Sequence, residues 1–307
     1  MAAGLADRAP GGFMADLMTT HEVADYLRLK ERKIYELVRN GAIPCTRVTG
    51  KWLFPRAMID YWLLEHAEGG QREGLARPSA VIAGSHDPLL EWAAQASACG
   101  LALLFGGSLE GLNRFVRGEA TVCGLHVPDP DGGPYNVETV RRATADRDLV
   151  LIEWAQRQQG LMLRPDDAQE IGGLADIVRR GARMIDRQEG AGSRLLLDRM
   201  LVAARIERSA VTFIDEPAMN ENDVAREVHA GRADVGLGIE SAAREAGLAF
   251  VPLALERLDL LLGRREYFEP PFQALLALTR KARFRERAET LGGYDVSGTG
   301  TISYNSP

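Results

Sequence analysis

Residues 79–127 read SAVIAGSHDPLLEWAAQASACGLALLFGGSLEGLNRFVRGEATVCGLHV. Three short apolar runs, SAVIAGS, LALLFGGS and ATVCGLHV, alternate with helical stretches that begin at Pro88 and Leu109. Short apolar runs bounded by Gly and Ser suit buried strands, and Pro belongs in the first turn of a helix. Strand, helix, strand, helix, strand is the rhythm of an α/β domain with a mostly parallel sheet. It continues toward the C-terminus: LVLIEWA (149–155), GLMLR (160–164), ARMIDR (182–187), ADVGLGI (233–239) and FVPLALERLDLLLG (250–263) read as strands. Helices are expected over 193–204, 219–230 and 271–290.

Upstream, AEGGQREGLARPS (67–79) lacks apolar periodicity and reads as a linker. Residues 1–16, rich in Ala and Gly, read as a disordered arm. Between them lies a compact module, 17–66. Thr19 is placed to cap a first helix, with Glu22 completing a capping box. A second helix is expected over Glu31–Arg39, with Ile34, Leu37 and Val38 inward, and Gly41 stops it. A hairpin follows, IPCTRV, a turn at Thr49-Gly50, and KWLF. Pro55 suits the first turn of a third helix carrying Met58, Ile59, Trp62 and Leu63. Two short helices and a basic hairpin make a winged helix-turn-helix. Lys30, Arg32, Lys33 and Tyr35 on the second helix, with Arg47 and Lys51 on the wing, are the candidate DNA contacts.

Charge supports this division. The chain of 307 residues carries a formal net charge of −6. Residues 18–66 nevertheless hold eight Lys/Arg against six Asp/Glu, so a weakly basic module sits on an acidic body. The N-terminus lacks the basic-then-apolar pattern of a secretory signal, and no apolar run reaches membrane-spanning length. Three widely spaced cysteines (Cys45, Cys99, Cys123) argue against a disulfide framework and fit a reducing cytoplasm.

Three junctions carry the chemistry of the larger domain: Ala83-Gly84-Ser85-His86-Asp87, Gly106-Gly107-Ser108-Leu109 and Gly190-Ala191-Gly192-Ser193-Arg194. Free N–H groups at helix N-termini attract anions, Gly permits close approach, and a Ser hydroxyl adds a donor. Taken singly, each serine is also a plausible helix cap. Catalytic alternatives lack their patterns. Glu110 breaks the nucleophile-elbow spacing around Ser108, Arg194-Leu195 does the same after Ser193, and Gly50-Lys51 is followed by Trp52 rather than Ser or Thr. His86, Asp87 and His126 do not fall into a metal-ligand spacing. A non-enzyme is expected, with no cofactor as catalyst.

Residues 17–63, LMTTHEVADYLRLKERKIYELVRNGAIPCTRVTGKWLFPRAMIDYWL, resemble the excisionase-type, MerR-like helix-turn-helix domain. The segments GSHDPLL, GGSLEGL, HVPDPDGGPYN, RQQGLML, IDRQEGAGSRLLLD, GRADVGLGIESAA and FVPLALERLDL resemble the type II periplasmic-binding-protein domain of the molybdate- and tungstate-binding branch. This resemblance implies an α/β domain of two lobes, 80–152 with 261–307 and 160–252, joined by strands crossing near Glu153–Gln159 and Leu253–Leu260. The domain would span 80–307. The resemblance also implies a cleft in which Ser85, Gly107 and Ser108 face Gly192 and Ser193, lined by His126, Tyr135, Asn136, Arg157 and Arg187. Arg194 is either a ligand contact or a partner for Asp198, four residues on. The expected protein is a cytoplasmic ligand-responsive regulator that binds operator DNA as a homodimer or higher oligomer. Its effector would be molybdate or tungstate. The alternatives are a molybdenum cofactor or its precursor as ligand, or an oxyanion carrier or storage protein.

Overall fold

The computed structural model describes residues 17–48, 50–65, 80–129, 132–144 and 147–306. The expected arm (1–16), the linker (67–79), His66 and Thr49 of the wing turn lie outside the described residues. The chain divides into two compact units, Met1–Arg77 and Pro78–Pro307.

The first unit runs β1 (Leu17–Thr19), α1 (Thr20–Tyr26), α2 (Glu31–Arg39), β2 (Thr46–Val48), β3 (Lys51–Pro55) and α3 (Arg56–Glu65). The capping box forms: the Glu22 N–H donates to Thr19 Oγ1 at 3.3 Å, and the Thr19 N–H donates to Glu22 Oε2 at 2.7 Å. These bonds hold the Glu22 carboxyl below its ordinary pKa. The wing hairpin is extended by β1, giving the strand order β1-β3-β2. Pro55 closes β3 rather than opening the helix, because its backbone pairs with Leu17 in the sheet. Met18, Val23, Ala24, Ile34, Ile43, Phe54 and Ile59 form the core. The apolar stripe of α3 divides. Ile59 is buried, and the Trp62 indole packs on the core and donates to the Ala42 carbonyl at 2.7 Å, whereas Met58 (52 % exposed) and Leu63 (41 %) face outward.

The second unit is built on one sheet ordered β5-β4-β6-β11-β7-β10-β8-β9. Its spine is β7 (Leu149–Leu163) and β11 (Ala249–Gly263), antiparallel from Leu149 opposite Gly263 to Leu163 opposite Ala249. On one half, β6 (Val122–Leu125) joins β11, and β4 (Val81–Gly84) and β5 (Ala102–Phe105) continue in parallel. On the other half, β10 (Val235–Ile239) joins β7, followed by β8 (Arg183–Ile185) and β9 (Thr212–Phe213). Two short strands, β12 (Tyr294–Asp295) and β13 (Ile302–Asn305), pair with β7. The helices are α4 (Pro88–Ser97), α5 (Ser108–Val116), α6 (Val137–Ala143), α7 (Leu174–Arg180), α8 (Gly192–Ala203), α9 (Glu221–His229), α10 (Glu240–Glu245), α11 (Arg264–Tyr267), α12 (Pro270–Thr279) and α13 (Ala282–Leu291).

The two halves have separate cores. One packs Ile82, Leu90, Val122, Leu260, Phe272 and Phe284 around Trp154; the other packs Leu161, Met184, Leu197 and Val235 together. Two lobes joined by β7 and β11 are the expected α/β architecture. Two expectations need correction. LVLIEWA and GLMLR are one continuous strand, because the polar run Gln156–Gln159 between them is the crossing itself. Polar residues there break the apolar pattern that marks a strand in sequence. The helix expected over 271–290 is two helices, with Arg280 ending α12 and Lys281 opening α13.

Candidate functional site

On α2, Lys30, Arg32, Lys33 and Tyr35 are all exposed, while Ile34 is buried beneath them. The two acids of this helix have local partners. Glu36 accepts from Lys33 Nζ at 2.7 Å, and Glu31 Oε1 meets His21 Nδ1 at 3.0 Å. On the wing, Arg47 stands across the ladder from Trp52 and lies over its ring at 5.3 Å, while Lys51 is exposed. Stacking fixes the Arg47 guanidinium without neutralising it, which suits a phosphate contact.

In the second unit the three Gly-Ser junctions come together. The chain leaves β4 through Gly84 at φ +112°, a conformation open to Gly, and a Cβ there would strike the Gly124 carbonyl. Gly106 and Gly107 both donate to the Gly84 carbonyl, at 3.0 and 3.1 Å, which stitches the first two junctions. Ser85 and Ser108 then share a hydrogen bond of 2.7 Å, and the His126 N–H donates to Ser108 Oγ at 3.2 Å. The third junction closes from the other lobe. The Leu109 N–H donates to the Gly190 carbonyl at 3.1 Å, and Gln188 Nε2 reaches the Gly106 carbonyl at 3.4 Å. Gly107 lies against Gln188 and Ala191, and Gly192 against His126, so close that a Cβ on Gly192 would collide with it. Ser85, Ser108 and Ser193 are each at most 3 % exposed. The lobes are therefore in contact across the N-termini of α5 and α8.

Behind the serines lies a buried ionic chain. Asp87 caps α4 by accepting from the Leu90 N–H at 2.7 Å, and also accepts from Trp154 Nε1 (3.1 Å), Arg157 Nη1 (3.1 Å) and the Tyr294 hydroxyl (2.7 Å). Arg157 bonds Glu256 with its other arm, Gln159 Nε2 donates to the same Glu256 oxygen at 3.0 Å, and His126 Nδ1 meets Glu256 Oε2 at 2.6 Å. On the second lobe, Arg187 Nη1 donates to both Glu221 Oε1 (2.5 Å) and Ser193 Oγ (3.2 Å). Burial opposes ionisation of Glu256, but Arg157 and His126 prevail and hold its pKa down at about 2.

The remaining sequence-expected residues divide. Tyr135 is half-buried; burial first, then Glu256, push its hydroxyl up to about 12, and its carbonyl accepts from Arg257 at 3.0 Å. Asn136 takes φ +71° and clamps its loop. Its Oδ1 accepts from the Val127 N–H at 2.6 Å, and its Nδ2 donates to Asp259 at 2.8 Å. Arg194 does not pair with Asp198. It meets Asp186 at 3.3 Å and the Arg187 carbonyl at 3.2 Å, while Asp198 is held by Arg208. The turn before α8 brings Asp186 closer than the next helical turn brings Asp198. Asp87, Gln159, Glu221, Glu256 and Tyr294 escape the sequence reading of the cleft. Asp87 has a sequence signal, an Asp directly before a Pro-led helix; the others lie far away in sequence from what they touch.

Asp259 gives a testable pH dependence. Burial pushes its carboxyl up to about 6, against the pull of Arg257 and Asn136. A folded value above the ordinary 3.8 means that the fold favours the protonated form. That stability is complete below about 3.8 and is lost as pH rises through about 6. Asp259→Asn is therefore expected to match the parent near pH 4 and to exceed it at pH 7 by up to about 3 kcal/mol. Urea unfolding at the two pH values checks this; an equal difference at both pH values would contradict it.

Among the described residues, no group of three or more His, Cys, Asp or Glu is arranged to hold a metal, and no helix is long and apolar enough to cross a membrane.

Comparison with known proteins adds the following. Residues 17–67 match the helix-turn-helix domain. The uncharacterized protein YvgK of Bacillus subtilis (strain 168) is 25% identical over 301 residues, covering 92% of this chain and 96% of its own. An uncharacterized protein in the ferredoxin 2Fe-2S gene 5′ region of Clostridium pasteurianum is 29% identical over 109 residues, 35% of this chain and 96% of its own. Among solved structures, an H2O2-bound cysteine-to-serine mutant of Corynebacterium glutamicum OxyR superposes with a TM-score of 0.51 at 15% identity, covering 89% of each chain, a likeness of fold. Residues 90–280, more than half of the sequence, match the PBP superfamily domain, and the chain belongs to that family.

Proposed function

We propose that this protein is a cytoplasmic transcriptional regulator whose N-terminal helix-turn-helix binds operator DNA and whose C-terminal cleft senses a small anion. The observation that carries the reading is the convergence of Ser85, Ser108 and Ser193 from two lobes, in a chain that also holds a helix-turn-helix domain. Arg157 and Arg187 are already engaged by Asp87, Glu256 and Glu221. An anion would therefore meet hydroxyls and backbone N–H groups rather than bare cations. That suits a tetrahedral oxyanion, and the sequence resemblance puts molybdate and tungstate first. We further propose that the regulator acts as a homodimer or higher oligomer, because one small module contacts too little DNA for tight binding.

Thermal-shift measurements on the full chain test the ligand. Molybdate and tungstate are expected to raise the Tm, and sulfate to raise it less, since a ligand that binds only the folded state stabilises it by mass action. No shift with either metal oxyanion at millimolar concentration would sink the oxyanion reading. Ser108→Ala and Ser193→Ala are each expected to weaken binding by about 1–2 kcal/mol without unfolding the chain. Parent-like affinity in both, measured by calorimetry, would reduce these serines to helix caps.

A further inference from the structure

Two acceptors at the centre of the cleft have no donor. Glu221 is 1 % exposed and Gln159 fully buried, yet Glu221 Oε2 and Gln159 Oε1 make no hydrogen bond. Glu221 belongs to the site itself, because one nitrogen, Arg187 Nη1, bonds both Glu221 Oε1 and Ser193 Oγ. A dry carboxylate oxygen without a donor is costly, and a fully deprotonated oxyanion beside it would add repulsion without supplying one. A proton between ligand and carboxylate relieves both.

We infer that the cleft takes its anion together with a proton, shared with Glu221, and that Glu221 thereby determines which oxyanions bind. This inference rests on the anion-binding reading of the cleft. Oxyanions that keep a proton near neutrality, such as phosphate, bring it with them; molybdate, tungstate and sulfate acquire it from solvent on binding. The charged groups around Glu221 are Arg187 on the same lobe and, at the crossing strands, Arg157 with Glu256 and His126. Asp223, on the same helix, is turned to Asn220 and Arg226. His126 with Glu256 is the competing proton site, so the test must separate it from Glu221.

The experiment is calorimetric titration of the full chain with molybdate and with inorganic phosphate, from pH 6 to 8, in buffers of different ionisation enthalpy. The parent is expected to absorb close to one proton per molybdate bound, with affinity falling about tenfold per pH unit. Glu221→Gln is expected to abolish the uptake, flatten the pH dependence and bind molybdate more tightly than the parent at pH 8. His126→Gln is expected to retain the uptake, and it keeps the test decisive if Glu221→Gln does not fold. Binding of phosphate alone, without uptake, also supports the inference. Molybdate binding to the parent with no proton uptake, or uptake that persists in Glu221→Gln, would overturn it and leave the cleft reading intact. Failure of both anions to bind either protein would overturn both.

Discussion

Arg157→Met is expected to destabilise the second unit by about 3–5 kcal/mol, the largest effect of any single substitution considered, because it strands two carboxylates in a dry interior. Asp87 and Glu256 are each at most 2 % exposed, and Arg157 bonds both. Removing one partner of a buried ion pair costs far more than removing all of its members, since the remaining charges keep their desolvation penalty. The triple variant Asp87→Asn/Arg157→Met/Glu256→Gln is therefore expected to recover much of the loss. Chemical denaturation of the single and triple variants decides the matter. A single variant within about 1 kcal/mol of the parent would mean that Arg157 is not the counter-ion of this centre.

The second large effect concerns DNA. Arg32 and Lys33 are adjacent on α2, so their side chains leave the axis about 100° apart. Both remain on the exposed side, since Ile34 alone is turned fully inward. One is placed to reach base edges and the other phosphate. The double variant Arg32→Ala/Lys33→Ala is expected to lose operator affinity by on the order of 100-fold and to show a shallower salt dependence. Fluorescence anisotropy at several salt concentrations reads both. Lys33 is held by Glu36 in the free protein, so docking must exchange that surface pair for phosphate, a small cost at such exposure. Unchanged affinity would show that this helix does not dock.

Much of this was legible in the sequence, for identifiable reasons. The capping box at Thr19, the buried face of α2 and the Gly-Ser junctions are local patterns, and each is where its residues put it. What sequence could not show was pairing over distance. Arg157 and Glu256 lie 99 residues apart, and Arg187 and Glu221 lie 34 apart. The arginines alone suggested ligand contacts; the structure shows the carboxylates that engage them. The register of β7 and β11 explains the first pair, since Arg157 stands directly opposite Glu256. The three-residue strand β1 was hidden for another reason: so short a segment carries no periodicity of its own. On α3, amphipathicity alone could not divide Ile59 and Trp62, which serve the core, from Met58 and Leu63, which do not.

If the protein is a ligand-responsive regulator, the cleft and the helix-turn-helix must be energetically coupled, and a ligand shifts that balance only by its differential affinity for the two states. The direct measurement is the affinity of the full chain for a DNA site selected by that chain from a random-sequence pool, with and without saturating molybdate or tungstate. The account predicts a change of at least about fivefold, the lower end of ordinary allosteric coupling, and its loss in Ser108→Ala/Ser193→Ala. Equal affinity with and without bound anion would contradict it, even if each unit binds its own partner.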